Sequence, residues 1–165
     1  RYGTGDIAAG VRRVTMTESI YTGISEELLS IQKAADFVDA AENGALNMFV
    51  GKVRNHNLGK AVNAVSYDVF APLACNVFAE LCTEAQAQFG DRLKLYIEHY
   101  KGKLPIGGIS VIIAVGSPHR DESFKACRYL IEQLKIRAPI WKQEHYVDGD
   151  SDWVKGHTLC GHAHG

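Results

Sequence analysis

The chain has 165 residues, 46% of them hydrophobic and 22% charged, with a formal net charge of -1. This is the profile of one globular domain able to bury roughly two-thirds of its unfolded surface without disulfide or metal staples. The near-neutral balance argues against a nucleic-acid partner, so any anion site must come from local clustering of charge.

Residues 1–16 carry Gly and Arg without clear periodicity and read as a leader or poorly ordered extension, with Met16 a candidate native start. Residues 17–155 read as the domain proper. Its first expected strand is Ile20–Ile24. Ser30 is a plausible N-cap for a helix whose stripe is Ile31, Ala34, Ala35, Val38 and Ala41, stopped by Asn43-Gly44. Ala45–Val53 is short and apolar and reads as a buried strand. It runs into the polar loop Arg54-Asn55-His56-Asn57-Leu58-Gly59. Val65, Tyr67 and Val69 alternate as a strand, and Pro72 opens a helix that Gly90 ends. Leu93, Leu95 and Ile97 mark a strand finishing near His99, followed by a Gly- and Lys-bearing turn over Lys101–Gly108.

Ile109–Val115 is a continuous apolar run, expected to be a central strand. A helix follows with Phe124, Cys127, Ile131 and Leu134 on its inner face, closed by Ala138-Pro139. Ile140–Tyr146 is the last strand, Asp148–Asp152 a polar turn, and 156–165 a flexible Gly/His-rich tail. Strands that succeed one another without intervening helices favour an α+β domain over a doubly wound sheet.

Three clusters could carry chemistry. Lys52, Arg54, His56 and Lys60 lie at a strand end and loop, where donors can meet a phosphate or carboxylate, or simply face solvent. His119 and Arg120 stand at a helix start, where free N–H groups and the helix dipole attract anions; the alternative is pairing of Arg120 with Asp121 or Glu122. Lys135 falls in the last turn of that helix, where a cation is favoured in any case. Lys142 is flanked by apolar residues, and period two puts it on one strand face with Ile140 and Glu144. That makes it a partly buried ion pair or a tuned catalytic amine. Walker, dinucleotide-fingerprint, H-E-x-x-H and G-x-S-x-G patterns are absent from the sequence.

Cys75, Cys82, Cys127 and Cys160 form no C-x-x-C pair, and the first three read as small buried apolar residues of a reducing, cytoplasmic compartment. No apolar run reaches the roughly 18 residues of a membrane span. His157, Cys160, His162 and His164 could hold zinc or nickel, or be a frayed terminus.

In order, Phe49-Val50-Gly51-Lys52-Val53-Arg54-Asn55-His56-Asn57, then His99 with Gly102-Lys103-Leu104, then His119-Arg120 with Phe124 and Ala126, then Leu134-Lys135 and Pro139-Ile140-Trp141-Lys142-Gln143-Glu144, resemble the large subunit of molybdopterin synthase. The likeness covers roughly residues 20 to 155. It implies an α/β-hammerhead fold: a single α+β domain with a mixed, largely antiparallel sheet and packed helices. It implies a sulfurtransferase converting precursor Z, a cyclic pyranopterin monophosphate, to molybdopterin in molybdenum cofactor biosynthesis. The two sulfurs would come from the C-terminal thiocarboxylate of a small ubiquitin-like subunit, within a heterotetramer built on a large-subunit homodimer. It calls for no cofactor, metal or membrane.

By the same resemblance Lys135 and Lys142 match the catalytic lysines, Arg54, His119 and Arg120 match the anion pocket, and Glu144 travels with Lys142. A lysine could protonate a leaving oxygen, stabilise developing charge, or bond the acyl carbon. The chain departs from the family at Tyr100, where Arg commonly follows the histidine; His99 is therefore left out of the expected site.

Overall fold

The computed structural model describes the backbone of residues 3–7 and residues 12–155 in full. The expected tail site at His157, Cys160, His162 and His164 lies outside them. In chain order the elements are β1 (Gly3–Ile7), β2 (Arg12–Met16), β3 (Ile20–Ser25), α1 (Ile31–Val38), β4 (Ala45–Lys52), β5 (His56–Asn57), β6 (Lys60–Val69), α2 (Ala71–Phe89), β7 (Lys94–Tyr100), β8 (Gly102–Pro105), β9 (Ile109–Ser117), α3 (Arg120–Arg137), β10 (Ile140–Tyr146), β11 (Gly149–Asp150) and β12 (Val154–Lys155).

The strands form two sheets. The first runs β1-β2-β3-β7-β9-β4, and β3–β7 is its parallel pair. In the second, β6 pairs with β5, β8 and β10, and β10 with β11 and β12. The expected α+β class and largely antiparallel pairing are both present. β9 is interior to the first sheet, as its unbroken apolar run predicts.

Each face of the first sheet has its own core. Leu95, Ile97, Val111, Ile113 and Val115 meet α2 and α3 through Phe78, Leu81, Cys82, Ala126, Leu130 and Leu134. The other face meets α1 through Tyr21, Tyr96, Ile112, Ala114, Ala34 and Val38. Cys75, Cys82 and Cys127 are free and buried, and burial pushes the Cys127 thiol up to about 11. The second sheet contributes Val62, Val65 and Leu104, packed with Val53.

Beneath α1 lies a carboxylate, Glu98, with no exposed surface. The hydroxyls of Tyr21 and Tyr96 each donate to it at 3.1 Å, and Arg12 and Lys33 approach at 3.9 and 3.8 Å. Tyr21 and Tyr96 stack at 4.4 Å, and Lys33 Nζ donates to the Tyr21 hydroxyl at 2.6 Å. Burial first, then the charge of Glu98, raises both phenols far above their usual range; burial lowers Lys33.

Several details differ from the sequence reading. Helix α1 begins at its Ser30 cap, whose hydroxyl accepts from the Lys33 N–H at 3.1 Å, but ends at Val38 rather than Asn43. Asp39 turns to extended backbone, and the Asn43 side chain donates back to the Val38 carbonyl at 3.2 Å, so the stop signal acts from five residues away. β4 is half-exposed rather than buried, because it forms the described edge of its sheet and Leu46 and Phe49 face outward. The inner face of α3 is Ser123, Ala126, Cys127, Leu130 and Leu134. Small residues at 123 and 126 let the helix lie close on the sheet and turn Phe124 out to 64% exposure. The turn over Lys101–Gly108 contains β8, which pairs with β6. Arg12–Met16, aperiodic in sequence, is held by β3 through main-chain pairing that needs no side-chain pattern.

Gly116 of β9 sits directly under the end of α1. A Cβ there would collide with the Val38 carbonyl and stand 2.9 Å from the Asn43 amide. Gly116→Ala is expected to cost about 3 kcal/mol through forced displacement of α1. The urea-unfolding midpoint measures this; an unchanged midpoint would mean that α1 moves aside freely.

Candidate active site

The register of β10 against β6 sets the geometry. Lys142 pairs with Tyr67 and Glu144 with Val65, so these side chains stand on one face. That face turns inward: Val65 packs with Val53, Val62 and Leu104, and Tyr67 borders the same cluster. Glu144 is 3% exposed, and Lys142 Nζ lies 3.4 Å from its Oε1. The strand-period expectation that the two share a face is met as a buried ion pair. The Glu144 main chain is fixed by a reciprocal clasp: its N–H donates to Ser151 Oγ at 2.8 Å, and its carbonyl accepts from the Ser151 N–H at 2.9 Å.

His99, at the end of β7, joins this group. Its ring meets Tyr67 edge-on at 5.3 Å, and it is buried. Nδ1 lies 2.8 Å from the Tyr100 carbonyl, which can only accept, so Nδ1 carries the proton and Nε2 presents a lone pair. Burial, and secondarily the charge of Lys135, lower its pKa to about 4. His99 is thus a neutral imidazole beside a cation.

Lys135 stands exposed in the last turn of α3. A bidentate pair ties that turn to α2: Arg137 reaches the two Glu84 oxygens at 2.7 and 3.0 Å, and Tyr129 donates to Glu84 at 2.6 Å. Lys135, His99, Tyr67, Lys142 and Glu144 therefore form a continuous series of neighbours drawn from α3, β7, β6 and β10. This arrangement can bind an anion, deliver a proton from an ammonium, and offer a neutral imidazole as acceptor.

The other expected site residues are placed differently. Arg54 is exposed just beyond β4, beside the buried Val53, whose main chain bonds to Gly107 and Gly108. His119 is the N-cap of α3 and makes no side-chain capping bond; Arg120 is its first residue, and both are exposed. Asp121 pairs with Lys125 at 2.9 Å. Helix α3 holds Arg120 and Lys135 roughly 22 Å apart along its axis. β4 runs alongside, with Ala45 opposite Ser117 and Lys52 opposite Ile109. One chain thus gathers Lys135, Lys142 and Glu144 near one end of this layer, with Arg54 beyond that end of β4, and leaves His119 and Arg120 at the other end.

In the first basic cluster, Lys60 lies over the Tyr146 ring at 5.3 Å, and His56 Nδ1 is 2.9 Å from Asn55 Oδ1. Lys101 does not replace the missing family arginine within the site. The chain turns after Tyr100 into β8, and Lys101 Nζ lies 3.8 Å from Asp68. His99 and Tyr67 are the members that sequence reasoning misses. A signal for the first is present: His99 continues the core-facing alternation of Leu95 and Ile97.

The family model for the MoaE protein matches residues 24–137. The molybdopterin synthase catalytic subunit of Synechococcus elongatus is 48% identical over 132 residues, 80% of each chain. That of a Nostoc species is 41% identical over 126 residues, 76% of each. Among solved structures, molybdopterin synthase from Staphylococcus aureus superposes with a TM-score of 0.76 at 31% identity, covering 84% of this chain and 98% of its own.

His99 gives the site an acid response. The unfolded chain takes up its proton near the ordinary 6.5 and the folded one near 4, so between these pH values the unfolded state binds more protons. Stability is complete above about pH 6.5 and falls as pH drops toward 4, by about 3 kcal/mol for this one group. Urea unfolding at pH 7 and pH 4.5 should show a smaller acid loss in His99→Gln than in the parent chain. Equal losses would contradict a buried neutral imidazole.

Proposed function

The chain belongs to the MoaE family of molybdopterin synthase catalytic subunits, and from that premise we propose that Lys142, Lys135 and their neighbours carry out its sulfur transfer. The substrate is precursor Z, the product molybdopterin, and the sulfur donor the C-terminal thiocarboxylate of a small ubiquitin-like subunit. A relative called a catalytic subunit belongs to an enzyme with a further subunit, and a sulfur-carrying partner fills that place. The reading extends to a homodimer of large subunits within a heterotetramer, in the cytoplasm. Among the described residues no helix is long and apolar enough to cross a membrane.

The observation that carries the reading is the buried Lys142–Glu144 pair set against Tyr67, with His99 and Lys135 next in line. The Glu144 carboxylate at 3.4 Å holds the Lys142 amine in place and aims it. As thiocarboxylate sulfur attacks the pterin side chain, Lys142 neutralises the charge that develops and gives a proton to the departing oxygen. Lys135, exposed at the helix end, binds the incoming acyl terminus or the substrate phosphate.

Arg54, His119 and Arg120 are anion-binding residues in this scheme. The length of α3 separates His119 and Arg120 from the lysines of their own chain, so in a homodimer they serve the partner copy's pocket.

With thiocarboxylated small subunit and precursor Z, Lys142→Ala should lower molybdopterin formation at least a hundredfold while the variant still folds and binds the small subunit. Lys142→Arg keeps the charge but holds its proton too tightly to give it up near neutrality, and should recover only a small part. Full turnover by Lys142→Ala would remove this residue from the mechanism.

A further inference from the structure

The outer face of the second sheet carries a separate constellation. Ser66 and His145 alternate with Tyr67 and Glu144 along β6 and β10, so they point away from the lysine site. Ser66 Oγ lies 2.6 Å from His145 Nε2, and His145 Nδ1 lies 2.8 Å from Asp150 Oδ1. A carboxylate only accepts, so Nδ1 holds the ring proton, and Nε2 must accept from the Ser66 hydroxyl. Nucleophile, base and orienting carboxylate thus stand in the order that acyl transfer requires, with the tautomer already set.

A purely structural cross-strand bond needs no space beside the hydroxyl. Ser66 is among the residues that line an open cavity of about 490 Å³, as is the half-exposed Trp153. Lys103 lines it too and is the register partner of Ser66 across β6–β8, so its side chain rises on the same face.

We propose that Ser66, His145 and Asp150 form a second active site that hydrolyses small carboxylic esters of aromatic alcohols. Ser66 Oγ bonds the ester carbonyl carbon as its proton passes to His145 Nε2. Lys103 faces the charge that gathers on the carbonyl oxygen. The tetrahedral adduct collapses with cleavage of the carbon–alkoxide bond, and His145 returns the proton to the departing alcohol. Water, deprotonated in turn by His145, then releases the acid and restores the serine. Trp153 packs against the alcohol ring, and no external oxidant or reductant is needed.

The test uses the full chain with p-nitrophenyl acetate and a fluorophosphonate probe. Peptide mapping by mass spectrometry should find the phosphonyl adduct on Ser66 of the unaltered chain. Ser66→Ala should lose the adduct and about a hundredfold of the ester hydrolysis, and Asp150→Asn should slow both by disturbing the imidazole tautomer. Sulfur transfer by Ser66→Ala should be unchanged, since its hydroxyl lies on the opposite face from Lys142. An adduct confined to other residues, or equal hydrolysis with and without the Ser66 hydroxyl, overturns the proposal. Adduct mapping uses the unaltered chain, so its outcome is decisive even where a variant unfolds.

Discussion

The register of β10 against β6 is the constraint on which both chemical faces depend. Side chains alternate with period two, so a slip by one residue would carry Lys142 and Glu144 to the outer face and send Ser66 and His145 inward. Burial enforces the register: a slip by one residue takes Val65 out of its core cluster with Leu104 and Glu144 out of its buried position. The Ser151 clasp and the shift in pairing between His145 and Tyr146 fix the strand's far end. The apolar core thereby specifies where the polar chemistry falls.

Electrostatics refine that placement. The site does not collect every nearby cation. Lys101 is drawn to Asp68, Lys125 to Asp121, and Arg137 to Glu84. The last of these matters indirectly, because its fork-on-fork geometry pins the turn of α3 from which Lys135 projects. What stands next to His99 is the charge of Lys135 on one side and, across the Tyr67 ring, the Lys142–Glu144 pair. Fields from these charges act more strongly there than on the open surface.

Much of this is legible in the sequence, for physical reasons specific to each residue. Lys142 and Glu144 can be placed on one face because strand alternation is rigid. Lys135 can be placed at a helix end because Pro139 stops the helix. Periodicity misplaces Phe124 because two overlapping stripes satisfy helical spacing on α3, and only packing against β4 and β9 selects the one led by Ser123 and Ala126. β4 reads as buried from its composition, yet composition does not say whether a strand will lie inside a sheet or at its edge. The division of the strands between two sheets rests on pairings such as β6 with β8, which no local pattern announces. His99 drops out of the expected site because its neighbour Tyr100 departs from the family, although its own position in the alternation points inward. The distance between Arg120 and Lys135 is also readable, since a helix of known length fixes it, and it separates residues that lie close together in the chain.

Glu98 has a consequence for how such chains can diverge. A buried carboxylate held by two phenols, an ammonium and a guanidinium penalises any single loss, because each departure strands a partner without water. Replacing the whole set by hydrocarbon of similar volume carries no such penalty. Arg12, Tyr21, Lys33, Tyr96 and Glu98 are therefore expected to persist or vanish together across lineages, as one inherited unit spread over four elements. Intermediates that keep only part of it should be rare.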